Sequence, residues 1–262
     1  MAKEIAGLIT ATSDIERIGD HCEALYKLIA RKKDARGRPL KKEFGRGTIT
    51  LEFPHLLRLI EQNQFDTVYH EHFSYLSLCT VSRIFQTAGL RVWDVEQLTT
   101  HGGSLRVFGC HNDDQRENTI VLDALLKEEK KNGLQDLAAY QGLQACANRV
   151  KNDLLAFLIE QKSAGKKIAA YGAAAKGNTL LNYAGVRPDL LPFVCDAAPS
   201  KQGKYLPGSR IPILDPSALK EYRPDYILIL PWNLKDEIMQ QLNSIRSWKG
   251  RFVAAVPELL VL

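Results

Sequence analysis

The strongest constraint on this chain lies between Lys166 and Leu262, where strand-like and helix-like segments alternate. KKIAAYGA reads as a strand, AAKG as a loop and NTLLNYAG as a helix. LPFVCDAA predicts a second strand, ending on Asp196. KYLPGSRIPIL predicts a loop with a short strand, and PSALKEY a helix. DYILILP reads as a strand, LKDEIMQQLNSIRSWKG as a longer helix and RFVAAVPELLVL as a final strand. Such alternation argues for a parallel sheet, and parallel sheets of this type take ligands past the C-terminal ends of their strands.

The loop after the first of these strands, Gly172 to Asn178, stands where doubly wound folds hold phosphate. Small residues let the backbone approach an anion, and a following helix aims its N-terminal N–H groups at it. On this reading Gly172, Ala174 and Gly177 form the cradle, Lys176 supplies countercharge, and Asn178 caps the helix or bonds the ligand. The same glycines and alanines also suit plain strand–helix packing. The stretch departs from the GxGxxG pattern, so no nicotinamide cofactor is indicated. Asp196 either bonds a ribose hydroxyl or caps the next turn. Lys201, Lys204 and Arg210 follow it and either meet a diphosphate or are solvated.

Upstream, residues 117–164 carry no strand signal and predict two helices, broken at Asn132-Gly133, that bridge two domains. Residues 47–116 read as a strand (GTITLEFP), a helix (HLLRLIEQN), a second helix closed by Gly89 (SLCTVSRIFQTAG), and a strand (RVWDVEQLT). A turn at Gly102-Gly103 and a last strand (SLRVFGCH) complete them. That order fits the second half of a doubly wound α/β domain whose last two strands are antiparallel. Residues 1–46 predict one helix over 1–33 and a basic linker. The four expected parts are therefore 1–46, 47–116, 117–164 and 165–262.

Length and charge narrow the function. At 262 residues there is room for two domains. The net charge of +5 is concentrated between Arg31 and Arg46, which hold eight Lys or Arg against Asp34 and Glu43. Without interleaved aromatic platforms that run reads as a solvated linker, and nucleic acid is not an expected partner. No apolar run is long enough to span a bilayer, so no membrane association is expected. The N-terminus has neither a basic start nor a small-residue cleavage site, and the expected compartment is the cytoplasm. Five scattered cysteines with no CxxC pair read as buried thiols in a reducing cell.

The chemistry-bearing stretch is FDTVYHEHFSYLS, Phe65 to Ser77. Imidazole takes up and returns a proton near neutral pH, a neighbouring carboxylate can fix its tautomer, and a phenol can donate to a developing oxyanion. These are the parts needed to remove a proton beside a carbonyl. The same residues also suit a half-buried hinge. His70 and His72 would share a strand face, but no third ligand stands at a useful spacing, so no metal site is assigned.

FDTVYHEHFSYLS, HGGSLRV, YGAAAKGNTLLNY, KQGKYLPGSRIPI and PDYILILPWNLKDEI together resemble the S-adenosylmethionine-dependent sugar C-methyltransferases of deoxysugar biosynthesis. The resemblance implies a class I methyltransferase Rossmann-like domain, present as its C-terminal half, a helical bridge and a second Rossmann-like domain. It implies a nucleotide-linked 4-keto-deoxysugar as substrate. His72 becomes the base that deprotonates the carbon next to the keto group, Glu71 the group that orients it, and Tyr69 the donor to the sugar or its oxyanion. The family's cysteine-rich zinc domain and the first half of its methyl-donor domain have no counterpart here. The resemblance therefore leaves two expectations open: a methyltransferase whose missing donor half comes from a partner chain, or a truncated, non-catalytic nucleotide-sugar-binding module. Residues 1–33 separately resemble the last helix of PhoU-like phosphate-transport regulators, with Glu16 and Asp20 one turn apart, and no metal is assigned there.

Overall fold

The computed structural model describes residues 48–262; the expected N-terminal helix and basic linker lie outside them. The chain forms two compact units. Among the described residues, one comprises 48–58 together with 70–139, and the other 59–69 together with 140–262.

The first unit is built on a three-stranded antiparallel sheet of order β1-β3-β2. β1 is Ile49–Pro54, β2 Leu90–Leu98 and β3 Ser104–His111. β3 lies in the middle, pairing Leu51 with Val107 on one side and Val95 with Val107 on the other. Helix α1 (Leu56–Glu61) follows β1 and carries the chain from the first unit into the second. Helix α2 (Leu78–Thr87) starts at Ser77, whose hydroxyl accepts from Thr80 N–H at 3.1 Å. Such a side-chain oxygen satisfies an N–H that the helix itself cannot. α2 buries Leu78, Val81 and Phe85, a stripe at helical spacing. Gly89, at φ +73°, ends it in the left-handed region, as the sequence predicts. Helix α3 (Ile120–Lys131) is capped by Thr119 and buries Leu122, Leu125 and Glu129.

The second unit is a six-stranded sheet of order β6-β5-β4-β7-β8-β9. β4 (Ile168–Tyr171), β5 (Val194–Cys195), β6 (Ile213–Leu214), β7 (Tyr226–Ile229) and β8 (Arg251–Ala254) are mutually parallel. β9 (Leu260–Val261) is antiparallel to β8. Helices α4 (Leu143–Ser163), α5 (Ala175–Ala184), α6 (Ser217–Tyr222) and α7 (Lys235–Gln241) complete the unit. Period-two alternation sends Ile168 and Ala170 of β4 into one core with Leu154, Leu158 and Leu180. Ala169 and Tyr171 enter a second core with Leu219, Ile238 and Phe252. All four β4 residues are buried, as expected where a parallel sheet is covered on both faces.

The expected α/β class with a parallel sheet holds. Three local readings are refined. The predicted bridge over 117–164 divides, with α3 in the first unit and α4 in the second. The long helix expected over 234–250 breaks into α7 and a 3-10 segment (Asn243–Trp248), and a separate 3-10 turn (Trp232–Leu234) precedes it. The final strand folds back as β8 and β9, because Pro257 has no N–H to continue a ladder.

Candidate functional site

The Phe65–Ser77 stretch crosses from one unit to the other, Phe65 to Tyr69 lying in the second and His70 onward in the first. In the second unit Phe65–Thr67 form a single buried 3-10 turn. Thr67 closes it twice, its N–H and its hydroxyl donating to Gln64 O at 3.0 and 2.7 Å. Val68 N–H donates to Phe65 O at 3.0 Å and Tyr69 N–H to Thr67 O at 3.1 Å. The Phe65 ring lies 5.3 Å from that of Tyr183.

Asp66 is fully buried in this turn. The Trp232 indole donates from Nε1 to Asp66 Oδ2 at 2.7 Å, across 166 residues of sequence. Lys176 Nζ stands 4.8 Å above the centre of the Trp232 ring and donates to Asn233 Oδ1 at 3.4 Å. Burial pushes the Asp66 carboxyl up to about 6, opposed by the Trp232 hydrogen bond and by the Lys176 charge. Burial also lowers Lys176 from its ordinary value, opposed by Asp66.

The location of this cluster follows from topology. Lys176 lies on α5, just after β4, and Trp232 and Asn233 follow β7. β4 and β7 are adjacent, and the strand order runs outward from them in opposite directions. Ligands of open α/β sheets sit at such a switch point. Here the Phe65–Thr67 turn packs at that point.

The residues expected to form a phosphate cradle make specific contacts within the unit. Gly172 adopts φ +90°, and a Cβ there would come within 2.4 Å of Pro231 Cδ. At Gly177 a Cβ would lie 2.5 Å from Leu230 Cβ, so this glycine brings α5 down onto the end of β7. Ala174 is the N-cap of α5 and provides no side-chain hydrogen bond. Lys176 is buried, its ammonium over Trp232. Asn178 Oδ1 is buried without a hydrogen-bond partner. Asp196 clamps the loops: its carboxylate accepts from Ala173 N–H at 2.7 Å, Ala198 N–H at 2.8 Å and Lys201 Nζ at 3.1 Å. Of its two expected roles, the turn-capping one is the geometry observed. Lys204 is exposed in the loop leading to β6.

In the first unit His72 is half-buried and Glu71 exposed. His72 has ring neighbours in Tyr75, with centroids 6.5 Å apart, and His101, at 6.2 Å and 84°. His101 sits at φ +56° in the Thr100–Gly102 turn, immediately before Gly103. The sequence reading used this turn without assigning its histidine. The available signal was a histidine beside two glycines that bend the β2–β3 connection. A second missed residue is Glu129, which accepts from His55 Nε2 at 2.7 Å and from the N–H groups of Leu78 and Cys79 at 2.6 and 2.8 Å.

Two further observations limit the chemistry. Among the described residues no helix is long and apolar enough to cross a membrane. Among the same residues Cys79, Cys110, Cys146 and Cys195 are free thiols, and burial pushes Cys195 to about 12, where the reactive thiolate is not formed.

Residues 99–257 match the model of the C-methyltransferase C-terminal domain. The chain is also similar to the C-methyltransferase NovU of Streptomyces niveus, 37% identical over 216 residues, 82% of this chain and 51% of the relative. The chain thus spans about half the length of the curated relative it matches.

Proposed function

The chain belongs to the C-methyltransferase family, and from that premise we propose that it acts in methylating a carbon beside the keto group of a nucleotide-linked 4-keto-deoxysugar. His72 is the base. Its half-buried imidazole, with Tyr75 and His101 as ring neighbours, is the observation that carries this reading. The imidazole removes the proton from the carbon next to the ketone, and the electron pair of that C–H bond becomes an enolate. Tyr69 donates to the developing oxyanion, an interaction stronger in the transition state than in the ground state. Glu71 supplies negative charge next in sequence to the imidazolium. The nucleotide-sugar is held by the loops after β4 and β5, where Lys204 is an exposed cation and Asn178 offers its amide. Gly172, Ala174, Lys176, Gly177 and Asp196 shape those loops.

The family's methyl donor is S-adenosylmethionine. The described residues do not fit it. The first unit shows a three-stranded antiparallel sheet with no glycine-rich loop after a parallel strand. In the second, the glycines after β4 are closed by Pro231 and Leu230. No step is therefore assigned to the donor. A partner chain carrying the donor half would complete the reaction, which takes place in the cytoplasm.

The proton-removal half can be tested without a donor. The full chain, incubated in D2O with a thymidine-diphosphate 4-keto-deoxysugar, is expected to wash deuterium into the carbon next to the ketone. His72→Asn is expected to abolish this. A wild-type chain that exchanges no faster than buffer would overturn the reading. Titration calorimetry of the chain with S-adenosylmethionine is expected to show weak binding or none, and micromolar binding would contradict the missing-pocket argument. A second reading rests on the self-contained core of the second unit: a nucleotide-sugar-binding module without catalysis. It predicts thymidine-diphosphate binding together with no deuterium exchange.

A further inference from the structure

We propose that Asp66 is a positioning residue for Tyr69, acting through Trp232 and Lys176 at the switch point of the second sheet. The inference rests on the reading of Tyr69 as the oxyanion donor and goes beyond it by naming what holds that phenol in place.

The argument starts from the cost of the arrangement. A carboxylate with no exposure and one oxygen, Oδ1, without a hydrogen-bond partner is an expensive group to bury. An apolar residue would fill the turn at lower cost. What the carboxylate provides is direction: one oxygen fixes the Trp232 indole at 2.7 Å, and the ring so fixed lies under the Lys176 ammonium. Three chain segments, the 64–69 turn, the start of α5 and the turn after β7, are thereby held in one orientation.

Tyr69 is tied to that turn by backbone geometry. Its N–H bonds to Thr67 O, and Thr67 is locked to Gln64 O by two hydrogen bonds. Rotation of the Asp66 turn on the sheet would carry Tyr69 with it. The ionisable group facing Asp66 from α5 is Lys176; the turn after β7 presents the neutral Trp232 and Asn233. Asp66 and Lys176 neutralise each other, so the anchor adds no net charge at the switch point. It also accounts for the burial of a lysine in the expected cradle.

The test uses the full chain and two independent readouts. Nuclear magnetic resonance with labelled tryptophan and tyrosine follows the Trp232 indole N–H and the Tyr69 ring. In the wild type the Trp232 signal is expected to shift with pH around a midpoint near 6, and in Asp66→Asn this shift is expected to vanish while the Tyr69 signals stay in place. In Asp66→Ala and Trp232→Phe the Tyr69 signals are expected to move. Deuterium wash-in by these two variants is expected to fall about tenfold in kcat with KM little changed. Tyr69 signals identical to wild type in both Asp66→Ala and Trp232→Phe would overturn the proposal. If Asp66→Ala does not fold, Trp232→Phe and Asp66→Asn decide it. Absence of exchange by the wild type would count against the catalytic reading alone, because the Tyr69 signals report the anchor without turnover.

Discussion

His55 and Glu129 meet at 2.7 Å inside the first unit, both almost fully buried. His55 Nε2 and Glu129 Oε1 share one hydrogen bond across that contact. The same carboxylate receives the N–H groups of Leu78 and Cys79, two of the donors that the start of α2 leaves unsatisfied. α2 begins where the Phe65–Ser77 stretch ends, so Glu129 fixes the exit of the segment that carries His72.

Glu129→Ala would leave a buried histidine and two backbone N–H groups without a partner. The expected loss is about 3–5 kcal/mol, in line with breaking a buried pair from one side. Glu129→Gln keeps an acceptor and is expected to cost about 1–2 kcal/mol. Urea unfolding of the two variants measures the difference; equal losses would mean that the carboxylate contributes only volume.

The pH dependence of stability carries a signature of Asp66. Its carboxyl rises from 3.8 to about 6 on folding. Between those values the folded chain holds a proton that the unfolded chain has released. Protonation therefore favours folding as the pH drops, and the ionised group costs stability above its folded value, by roughly 3 kcal/mol. The wild type is expected to gain stability relative to Asp66→Asn as pH falls from about 7 to about 4. Asp215 and Asp225 run the other way. Their pKa values are depressed by the backbone N–H groups of Ser217 and Lys167, so their contribution is present at neutral pH and lost on acidification. Both are shared by the two chains and cancel in the difference. A pH-independent difference in urea midpoint would contradict the burial of an ionisable Asp66.

Asp196 separates a structural from a ligand-binding loop. As a clamp it holds Ala173, Ala198 and Lys201, and Asp196→Ala is expected to lower stability by about 2 kcal/mol or more, since two N–H groups lose their acceptor. Thermal unfolding with and without thymidine diphosphate is the measurement. A variant as stable as wild type that no longer binds the nucleotide would return Asp196 to the ribose.

His101 stands 6.2 Å from His72, ring centroid to ring centroid, with the planes at 84°. On the proposed mechanism His101→Asn is expected to slow deuterium wash-in, but less than His72→Asn does. An unchanged rate in His101→Asn would separate the two histidines functionally.

How much of this was legible in the residues varies by element. The β4–α5–β5 order was readable because strand and helix periods differ and Gly172 punctuates them. The β2–β3 hairpin was readable from Gly102-Gly103. The breaks in the segment after β7 were not, because its apolar spacing continues while the helical hydrogen bonds do not. Glu129 was not singled out among the charges of its predicted helix, and only its place on the apolar stripe, four residues after Leu125, could have marked it.

The residues themselves determined that this chain forms a covered parallel sheet and carries a stretch rich in His, Tyr and Glu, because periodicity and side-chain chemistry are local properties. Tertiary structure alone decided what the charged groups do. Lys176 and Asp66 lie 110 positions apart in the sequence, and Asp66 and Trp232 lie 166 apart. Whether a lysine meets an anion, an indole or water depends on which distant segment packs against it, and no spacing along the chain encodes that.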